Sequence, residues 1–336
     1  MDSTILIIGA GTFGVSTAWH LSQNHSDPSK VTIIDRQSSP PSLSAAADIN
    51  RILTADYPSS LYANLAKEAL EFWTEDPDLE WYFHKVGRLV LDESDTHDDR
   101  RRVETQGVKL ENLRRRWGVL DGTDTQHFSS AYLEPEAGWV DSATATWQFL
   151  ETAIRRRVKR EVANITELLF DRSTKSIRGA KAADGRLFLA ETVILAAGAW
   201  TSALLSPLED ALDIADEDRI ERQAQATAIV SASFPVSNEI LKEIAGCKMP
   251  CVRYGNVGEV VPASRENKML RYTKSDLGII NTIKTRSERC ISQLLPKYAR
   301  GDNHTPTEDL LLCEHPQVKD LFIITGGSFN GYKCVL

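Results

Sequence analysis

The chain has 336 residues, of which 42% are hydrophobic and 26% are charged, a composition typical of a globular protein with about two domains. Its net charge of -8 argues against a nucleic-acid partner or an anionic membrane surface, because both bind basic faces. The cysteines are odd in number and lie in the last third, which favours a reducing compartment over a disulfide framework. The sequence predicts neither a membrane span nor a signal peptide, so we expect a cytoplasmic location.

The first elements predicted along the chain form a βαβ unit. A buried strand at residues 5–8 is followed by "GAGTFG", a helix and a second strand, "VTIID". In this G-x-G-x-x-G spacing Gly9 permits a tight turn, Gly11 lets the backbone approach a pyrophosphate, and Gly14 lets helix and strand pack closely. Asp35 ends the second strand, where a carboxylate binds ribose hydroxyls. The pattern predicts a dinucleotide site and leaves NAD and FAD open.

Further elements follow with weaker signals. The spacing of Leu61, Leu65, Ala69 and Trp73 predicts an amphipathic helix capped by Ser59. A strand is predicted within 86–94, a solvated helix over the charge-dense stretch 97–117, and a second amphipathic helix from residue 142.

The second half of the chain carries signals for strands and turns. The Asp184-Gly185 pair predicts a hairpin before a buried strand over 193–195. The small residues that follow this strand allow backbone to lie against a large ligand. Another strand is predicted in "DLLLCEH", at 309–315, and it precedes one over 321–325, which enters a turn at Gly326 and Gly327.

Five blocks in order carry a resemblance to a known family: "ILIIGAGTFGVSTAWHL", "SAAADINRI", "EPEAGWVDSATA", "VILAAGAWTSALL" and "EHPQVKDLFIITGGSFNGYK". The chain resembles the FAD-dependent amine oxidases of the sarcosine oxidase and fructosyl amino acid oxidase (amadoriase) type, in particular the fungal amadoriases. The resemblance implies an α/β fold with a Rossmann-like FAD-binding domain, similar to glutathione reductase and D-amino-acid oxidase, and an antiparallel-sheet substrate domain. We expect the first over 1–80, 141–215 and 308–336 and the second over 81–140 and 216–307.

The resemblance also implies a chemistry. Such an enzyme oxidises the C–N bond of a secondary amine or N-substituted amino acid, of the fructosyl amino acid, sarcosine, pipecolate or saccharopine type, to an imine. Oxygen takes the electrons and becomes hydrogen peroxide. The alternatives are a catalytically impaired FAD-binding remnant and an NAD-dependent dehydrogenase, the latter supported only by the glycine fingerprint. A monomer without a metal site is expected, and a peroxisomal location is implied only by the family, since the terminal "CVL" is a poor signal.

The resemblance assigns site residues one by one. The substrate carboxylate is expected at Lys333, and the oxygen-activating cation of the family aligns with either Lys268 or Arg271. The residues expected at the cofactor are Gly9, Gly11, Thr12, Phe13, Gly14, Asp35, Arg36, Ser44, Ala45, Asp48, Asn50, Arg51, Val162, Ala197, Gly198, Trp200, Gly326, Gly327, Ser328 and Lys333.

The sequence departs from the family pattern in four places. Arg300 stands where the family attaches FAD covalently through a cysteine, so we expect non-covalent FAD, with Cys313 as a less favoured attachment site. Thr54 stands where a further basic residue clamps the substrate carboxylate, and a neutral hydroxyl cannot supply a charged pairing. If Arg271 replaces the oxygen-activating lysine, oxidation by oxygen is expected to be slow, because arginine stays protonated. The sequence stops shortly after Lys333, where the family continues with a helix that faces the flavin, so the C-terminus is expected to be short.

Two further sequence features are interpreted as structural or incidental. His84 is expected to be a structural histidine. The Asn-x-Ser/Thr triplets that begin at Asn24, Asn164 and Asn303 are expected to be chance matches to the glycosylation motif.

Overall fold

A computed structural model describes residues 3–38, 45–77, 79–93, 103–284, 290–292, 301–328 and 330–335. It divides into two compact units, the first made of 1–48, 143–228 and 279–336 and the second of 49–142 and 229–278. Residues 49–80, which we expected in the cofactor domain, therefore lie in the second unit. Residues 216–228 and 279–307, which we expected in the substrate domain, lie in the first. Strand pairing explains both differences: 51–53 pair with 138–140, and 301–304 pair with 225–228.

The helices have the following bounds: α1 (Thr12–Asn24), α2 (Ser60–Glu75), α3 (Leu113–Arg116), α4 (Ser142–Arg155), α5 (Thr201–Ala211), α6 (Ile220–Gln223), α7 (Asn238–Gly246) and α8 (Gly331–Val335). The strands have the following bounds: β1 (Ile5–Ile8), β2 (Val31–Asp35), β3 (Arg51–Leu53), β4 (Phe83–His84), β5 (Arg88–Asp92), β6 (Gln106–Gly107), β7 (Ser130–Glu134), β8 (Gly138–Val140), β9 (Lys159–Val162), β10 (Ile165–Asp171), β11 (Ser176–Ala182), β12 (Leu187–Leu189), β13 (Thr192–Leu195), β14 (Gln225–Pro235), β15 (Cys251–Tyr254), β16 (Gly258–Val261), β17 (Met269–Ile279), β18 (Thr282–Lys284), β19 (Cys290–Ser292), β20 (Gly301–His304), β21 (Leu311–Glu314) and β22 (Leu321–Thr325).

The first unit is built on a six-stranded sheet with the order β21-β22-β13-β1-β2-β9. The strands from β22 to β9 pair in parallel, and β21 adds an antiparallel edge. Ile7 lies opposite Ile33 on one side and Ile194 on the other. The apolar runs of β1, β2 and β13 are almost entirely buried, as in parallel sheets covered on both faces. The predicted βαβ opening and the strands over 193–195 and 321–325 are confirmed, and the strand predicted in "DLLLCEH" is confirmed over Leu311–Glu314.

A smaller antiparallel sheet, β10-β11-β12, completes the first unit together with the β18-β19 pair. The predicted hairpin is confirmed, since Gly185 lies between β11 and β12 with φ at +88°. One apolar core joins β1, β10, β11, β13, α5 and β22, and its fully buried members include Leu195 and Leu205.

The second unit contains a sheet with the order β14-β17-β16-β15-β5-β7-β6 and a three-stranded sheet, β3-β8-β4. The pairings β15-β16, β16-β17 and β5-β7 are antiparallel, whereas β15 and β5 run parallel. The predicted strand within 86–94 is confirmed as β5. A core around Leu89, Trp117 and Val252 fills this unit. Within the described residues, no helix is long and apolar enough to cross a membrane.

Two helix predictions need correction. The helix over 97–117 is wrong for the described part, because 103–117 holds the short strand β6, a turn of 3-10 helix and only one turn of α3. The predicted amphipathic helix is confirmed as α2, with Ala69 and Trp73 of its register buried, but Leu61 is 63% exposed. Ser59 is the N-cap residue of α2, but its side chain makes no capping hydrogen bond. The predicted helix from residue 142 is confirmed as α4.

Candidate functional site

The carboxyl ends of the parallel strands bring four distant segments of the first unit to one edge of its sheet. The turn after β1 starts at Gly9, β2 ends at Asp35, β13 is followed by Ala197, and β22 is followed by Gly326. Since β1 continues to β2 on one side and pairs with β13 on the other, the chain changes direction between β1 and β13. In open α/β sheets this switch point is where ligands bind.

The glycine turn is forced by close backbone packing. Gly9 has φ at +109°, and a Cβ there would lie 2.4 Å from the Ala196 carbonyl oxygen. A Cβ on Gly14 would lie 1.8 Å from the Gly9 carbonyl oxygen. Gly11 is the N-cap of α1 and has no side chain to cap it, and the first turn of α1 holds no acidic residue. The first N–H groups of α1 are therefore suited to an anionic group such as a phosphate.

Asp35 is held in place by the turn that it faces. Its Oδ2 accepts a hydrogen bond from Ala10 N at 2.9 Å, and its Oδ1 accepts one from Gln37 N at 3.0 Å. Each carboxylate oxygen keeps a second acceptor position, since an ionised carboxylate accepts about four hydrogen bonds. The half-buried carboxylate is thus pre-oriented to accept hydroxyl groups of a ligand, as predicted for a ribose.

A cavity of about 350 Å³ opens beside Asp35, at the end of β1 and β2. The Arg36 guanidinium stacks 3.9 Å from the centre of the Trp200 ring on its wall. Asn164 and Thr166 add polar groups, and Ala203 and Leu204 from α5 add apolar surface. This size and mixture are typical of a small-molecule site. The sequence indicated Arg36 and Trp200, whereas Asn164 and Thr166 were interpreted as a chance glycosylation triplet and not as site residues.

Val162, expected near the cofactor, lies at the end of β9 opposite Asp35. It is 44% exposed, and its carbonyl oxygen accepts a hydrogen bond from Arg186 Nη2 at 2.7 Å. Gly198 has φ at +51° and begins a 3-10 turn that leads through Trp200 into α5. Both residues therefore lie close in sequence to residues that line the cavity.

The turn after β22 is a second cradle of small residues. Gly326 has φ at +70°, and a Cβ there would lie 2.6 Å from Thr305 Cγ2. Ser328 is buried with φ at +43°, its N donates to the Asn303 carbonyl oxygen, and its Oγ accepts from Thr305 N. Gly327 is buried as well, and its carbonyl oxygen accepts hydrogen bonds from the N–H groups of residues 330 and 331. The turn is held by hydrogen bonds to the neighbouring β20 and by its own backbone.

Asn303 is a site residue that sequence reasoning missed. It is 1% exposed, and its Nδ2 donates to the Gly198 carbonyl oxygen at 3.0 Å and to Thr325 Oγ1 at 2.9 Å. It thereby links the segments that follow β13 and β22. Its burial supports the interpretation of its triplet as a chance match, because a glycosylation acceptor must be accessible. The pairing of β20 with β14 places Asn303 beside these two segments. No local sequence pattern predicts this long-range pairing.

Lys333 lies in the first turn of the short helix α8, where its backbone N–H donates to the Asn330 carbonyl oxygen at 3.0 Å. Its side chain is half-buried. Gly331 starts α8 against Phe13 of α1, because a Cβ on Gly331 would lie 2.9 Å from Phe13 Cζ. Thr12 and Phe13 are the first residues of α1, and the Phe13 ring lies against the start of α8. The sequence predicted that Lys333 follows the glycine turn, and the structure places it after that turn, in a short helix.

Residues of the "SAAADINRI" block divide between the two units. Ser44 lies outside the described residues, and Ala45 starts a 3-10 turn. Asp48 is buried and its carbonyl oxygen accepts a hydrogen bond from Ala143 N. In the second unit, Arg51 begins β3 and Asn50 is 3% exposed just before it.

Thr54 is committed to a buried charge network in the second unit. Its hydroxyl donates to Glu134 Oε2, and Glu134 Oε1 accepts from Ala55 N at 2.9 Å. The Arg88 guanidinium is 3.3 Å from Glu259, 3.5 Å from Asp56 and 4.0 Å from Glu134. Burial raises the pKa of Glu134, although Arg88 opposes this shift. Burial also disfavours the charge of Arg88, but the Glu259 and Glu134 carboxylates raise its pKa overall.

The two candidate cations for oxygen activation occupy different surroundings. Lys268 is exposed, has φ at +50°, and its Nζ donates to Asn238 Oδ1 at 3.2 Å. Arg271 is 7% exposed on β17, and its guanidinium donates to Ser231 Oγ at 3.0 Å and Thr273 Oγ1 at 3.3 Å. Only Arg271 is a buried, fixed charge.

The remaining candidates are Arg300, Cys313 and His84. Arg300 lies outside the described residues. Cys313 is on the edge strand β21, and partial burial raises the pKa of its thiol, which lowers the fraction of reactive thiolate. His84 stacks on Trp139 with ring centres 3.9 Å apart and planes at 16°. Burial lowers the pKa of His84, although Glu266 and Asp141 oppose this shift.

The family model described as "DAO: FAD dependent oxidoreductase" matches residues 4–335. This chain belongs to the DAO family of FAD-dependent oxidoreductases. The predicted fold class and the predicted FAD cofactor agree with this membership, and the family favours FAD over the nicotinamide alternative.

Among the relatives of this DAO-family chain, L-saccharopine oxidase of Schizosaccharomyces pombe is 30% identical over 236 residues, which are 61% of the chain and 53% of that protein. Human peroxisomal sarcosine oxidase is 22% identical, over 98% of the chain and 88% of that protein. Amadoriase I of Aspergillus fumigatus has the same fold, with a TM-score of 0.84 at 22% identity over 99% of the chain and 84% of that structure. The predicted resemblance is confirmed, while the match to L-saccharopine oxidase covers only about half of its length.

The residues at the sheet edge of this DAO-family member fit FAD. The close approach of Gly9 to Ala196 and the uncapped N-terminus of α1 suit the pyrophosphate. Asp35 suits the ribose hydroxyls, and the cavity between Arg36, Asn164 and Trp200 suits the rest of the adenosine. This fit rests on backbone geometry and on the chemistry of the lining residues.

Proposed function

We propose that this chain oxidises the C–N bond of a secondary amine or N-substituted amino acid to an imine, with FAD as cofactor and oxygen as electron acceptor. The observation that carries the proposal is the dinucleotide cradle at the edge of the parallel sheet, in a chain that matches the FAD-dependent oxidoreductase family over 4–335. Bound FAD supplies a two-electron acceptor, and water then hydrolyses the imine. Oxygen takes up the two electrons with two protons and leaves as hydrogen peroxide.

An N-substituted amino acid is the substrate class that the relatives support best. Saccharopine and sarcosine, which give two relatives their names, are both N-substituted amino acids. Lys333 is the candidate group for the substrate carboxylate, as an ammonium at the start of α8 after the buried turn of Gly327 and Ser328. In this assignment Lys333 binds and orients the substrate, and it takes no proton.

Arg271 is the proposed cation for the reaction with oxygen. Its guanidinium is buried and held by two hydroxyl groups, whereas Lys268 lies on the surface. A guanidinium keeps its proton, so it supplies a fixed positive charge and not a proton. We therefore expect slow consumption of oxygen relative to oxidation of the amine.

The deciding experiment measures the two half-reactions separately. The full chain is purified, its flavin content is measured, and acid precipitation tests whether the flavin is released, as expected for non-covalent FAD. The flavin-loaded protein is then mixed without air with sarcosine, saccharopine and a fructosyl amino acid, and loss of the flavin absorption at about 450 nm reports oxidation of the amine. A protein that takes up no flavin would refute the proposal.

Lys333→Met is the variant that tests the carboxylate site. We expect it to need at least about tenfold more amino acid for the same bleaching rate, because one charge-assisted pairing is lost. The matched control is Lys181→Met, which removes an exposed lysine from β11 of the same unit. An unchanged concentration dependence in Lys333→Met would exclude the assigned role.

A second candidate is a flavin-binding protein without amine oxidation. The commitment of Thr54 to Glu134 favours it, because this residue then contributes nothing to a carboxylate site. A protein that binds flavin but is bleached by no amine in the panel would establish this alternative.

A further inference from the structure

A pair of asparagine side chains in the second unit fixes the direction of a buried hydrogen-bond donor. Asn267 Oδ1 accepts hydrogen bonds from Met269 N at 2.9 Å and from Ser264 N at 3.2 Å. Backbone N–H groups only donate, so the atom that faces them must be the amide oxygen. Asn267 Nδ2 therefore points the other way, and it donates to Asn50 Oδ1 at 2.9 Å.

The orientation of Asn50 follows from that of Asn267. Because Asn267 presents an NH₂ group, Asn50 must face it with its oxygen, and the NH₂ group of Asn50 must point away. Asn50 is 3% exposed, and among the residues that the structure describes none accepts a hydrogen bond from its Nδ2. A buried donor without an acceptor is costly, and native proteins retain few of them.

The loop that carries Asn267 is rigid enough to hold this arrangement. Asn267 N donates to Ser264 Oγ at 3.2 Å, and Lys268 N donates to the Ser264 carbonyl oxygen at 2.9 Å. The carboxamide and the backbone of Asn267 are thus both tied to the same turn. Reversal of the Asn50 amide would set two NH₂ groups against each other and break the hydrogen bond from Asn267 Nδ2 to Asn50 Oδ1.

We propose that Asn267 is a positioning residue that holds the Asn50 amide so that its Nδ2 donates to an sp² oxygen of a bound ligand. This inference rests on the proposed function, because the two ligands that bring such an oxygen are the cofactor, through a ring carbonyl, and the amino acid substrate, through its carboxylate. The donor is neutral and directional, so it selects the position of the oxygen and not the charge of the ligand.

Two variants separate this role from a structural one. Asn50→Leu has a similar volume and removes the Nδ2 donor that has no acceptor, but it also removes the oxygen that accepts from Asn267 Nδ2. These two effects on ligand-free stability oppose each other, so we expect little change in urea unfolding, whereas the ligand affinity should fall about tenfold. Asn267→Asp keeps the acceptor for Ser264 N and Met269 N but presents a second acceptor to Asn50. The Asn50 amide should then reverse, and the affinity should again fall about tenfold.

The two arms of the measurement identify the ligand. FAD affinity is measured by fluorescence titration of the flavin-depleted full chain. Binding of methoxyacetate, in which an ether oxygen replaces the reactive nitrogen of sarcosine, is measured on the flavin-loaded chain from the change in flavin absorption. A weaker FAD affinity assigns the oxygen to the cofactor, and a loss of methoxyacetate binding alone assigns it to the substrate. Asn256→Asp, at an exposed turn of the same unit, controls for the added charge.

The inference is overturned if both affinities of Asn50→Leu equal those of the wild type, or if its ligand-free stability falls while the affinities stay constant. Should Asn50→Leu fail to fold, Asn267→Asp alone decides, and unchanged affinities in that variant overturn the inference. If the wild-type chain takes up no FAD, the proposed function and this inference both fail. If the wild-type chain takes up FAD and the variants bind both ligands like the wild type, only this inference fails.

Discussion

Gly14→Ala tests whether the cofactor cradle depends on close packing between α1 and β1. The new Cβ would lie 1.8 Å from the Gly9 carbonyl oxygen, whereas ordinary contacts begin near 3.4 Å, so the two groups must separate by about 1.6 Å. Gly9 cannot yield freely, because its N–H donates to the Ile34 carbonyl oxygen at 2.8 Å and Ala196 lies behind it. The start of α1 must therefore move.

The expected cost has two parts. Overpacking of this kind destabilises by about 1 to 3 kcal/mol, offset in part by the higher helix propensity of alanine, which is worth up to about 1 kcal/mol. A helix start displaced by more than 1 Å also loses hydrogen bonds to phosphate, so FAD affinity should fall at least about tenfold. Urea unfolding without flavin and fluorescence titration with FAD measure the two effects separately.

The control is Gly246→Ala at the end of α7, where an added Cβ meets nothing within 4 Å. This variant should be neutral or slightly more stable and should bind FAD like the wild type. If Gly14→Ala matches the control in both assays, the backbone contact does not position the helix and the reasoning about the cradle fails.

Three further predictions concern single side chains. Arg88→Met leaves buried carboxylates without their cation and should destabilise the protein by about 3 to 5 kcal/mol in urea unfolding, whereas Lys85→Met, which breaks an exposed pair, should cost less than about 1 kcal/mol. Burial lowers the folded-state pKa of His84, so below pH 6.5 the unfolded chain binds more protons there and stability is lost as pH falls. His84→Phe, which keeps an aromatic ring for stacking, should reduce the stability difference between pH 5.5 and pH 7.5, and an equal or larger difference contradicts this. Trp200→Leu removes the ring under Arg36 and should weaken FAD binding about three- to tenfold in titration, and unchanged affinity would mean that the stack does not shape the cavity.

The cofactor half of the site was predictable because its signals are local. Strand, glycine turn, helix and acid follow one another within 35 residues, and each constrains the next through backbone geometry. The strand before Ala197 and the strand before Gly326 could be identified in the same way. That all of them meet at one sheet edge follows from the parallel pairing of β1 with β2 and β13.

The division into units was not predictable from local patterns. Three residues of β3 pair with β8, about 87 positions later in the chain, and this pairing assigns the segment to the second unit. The buried face of α2 was predicted only in part. Ala69 and Trp73 of the predicted register are buried, whereas Leu61 is exposed. The prediction did not include the buried alanines Ala63 and Ala66. Small residues bury as well as large ones where elements approach closely, and hydrophobicity alone does not reveal this.

Thr54 shows why the substrate half resists sequence reasoning more strongly than the cofactor half. Its neutral side chain suggested a weakened carboxylate site, a conclusion drawn from the absent positive charge alone. The structure gives the hydroxyl a partner 80 positions away, Glu134, which belongs to the network around Arg88. Threonine here satisfies a buried acid, and a cation at the same position would face Arg88 across that acid. The loss of a basic residue at position 54 and the burial of Arg88 are therefore two parts of one arrangement, and any gain of a substrate clamp at this position would require a change in the network as well.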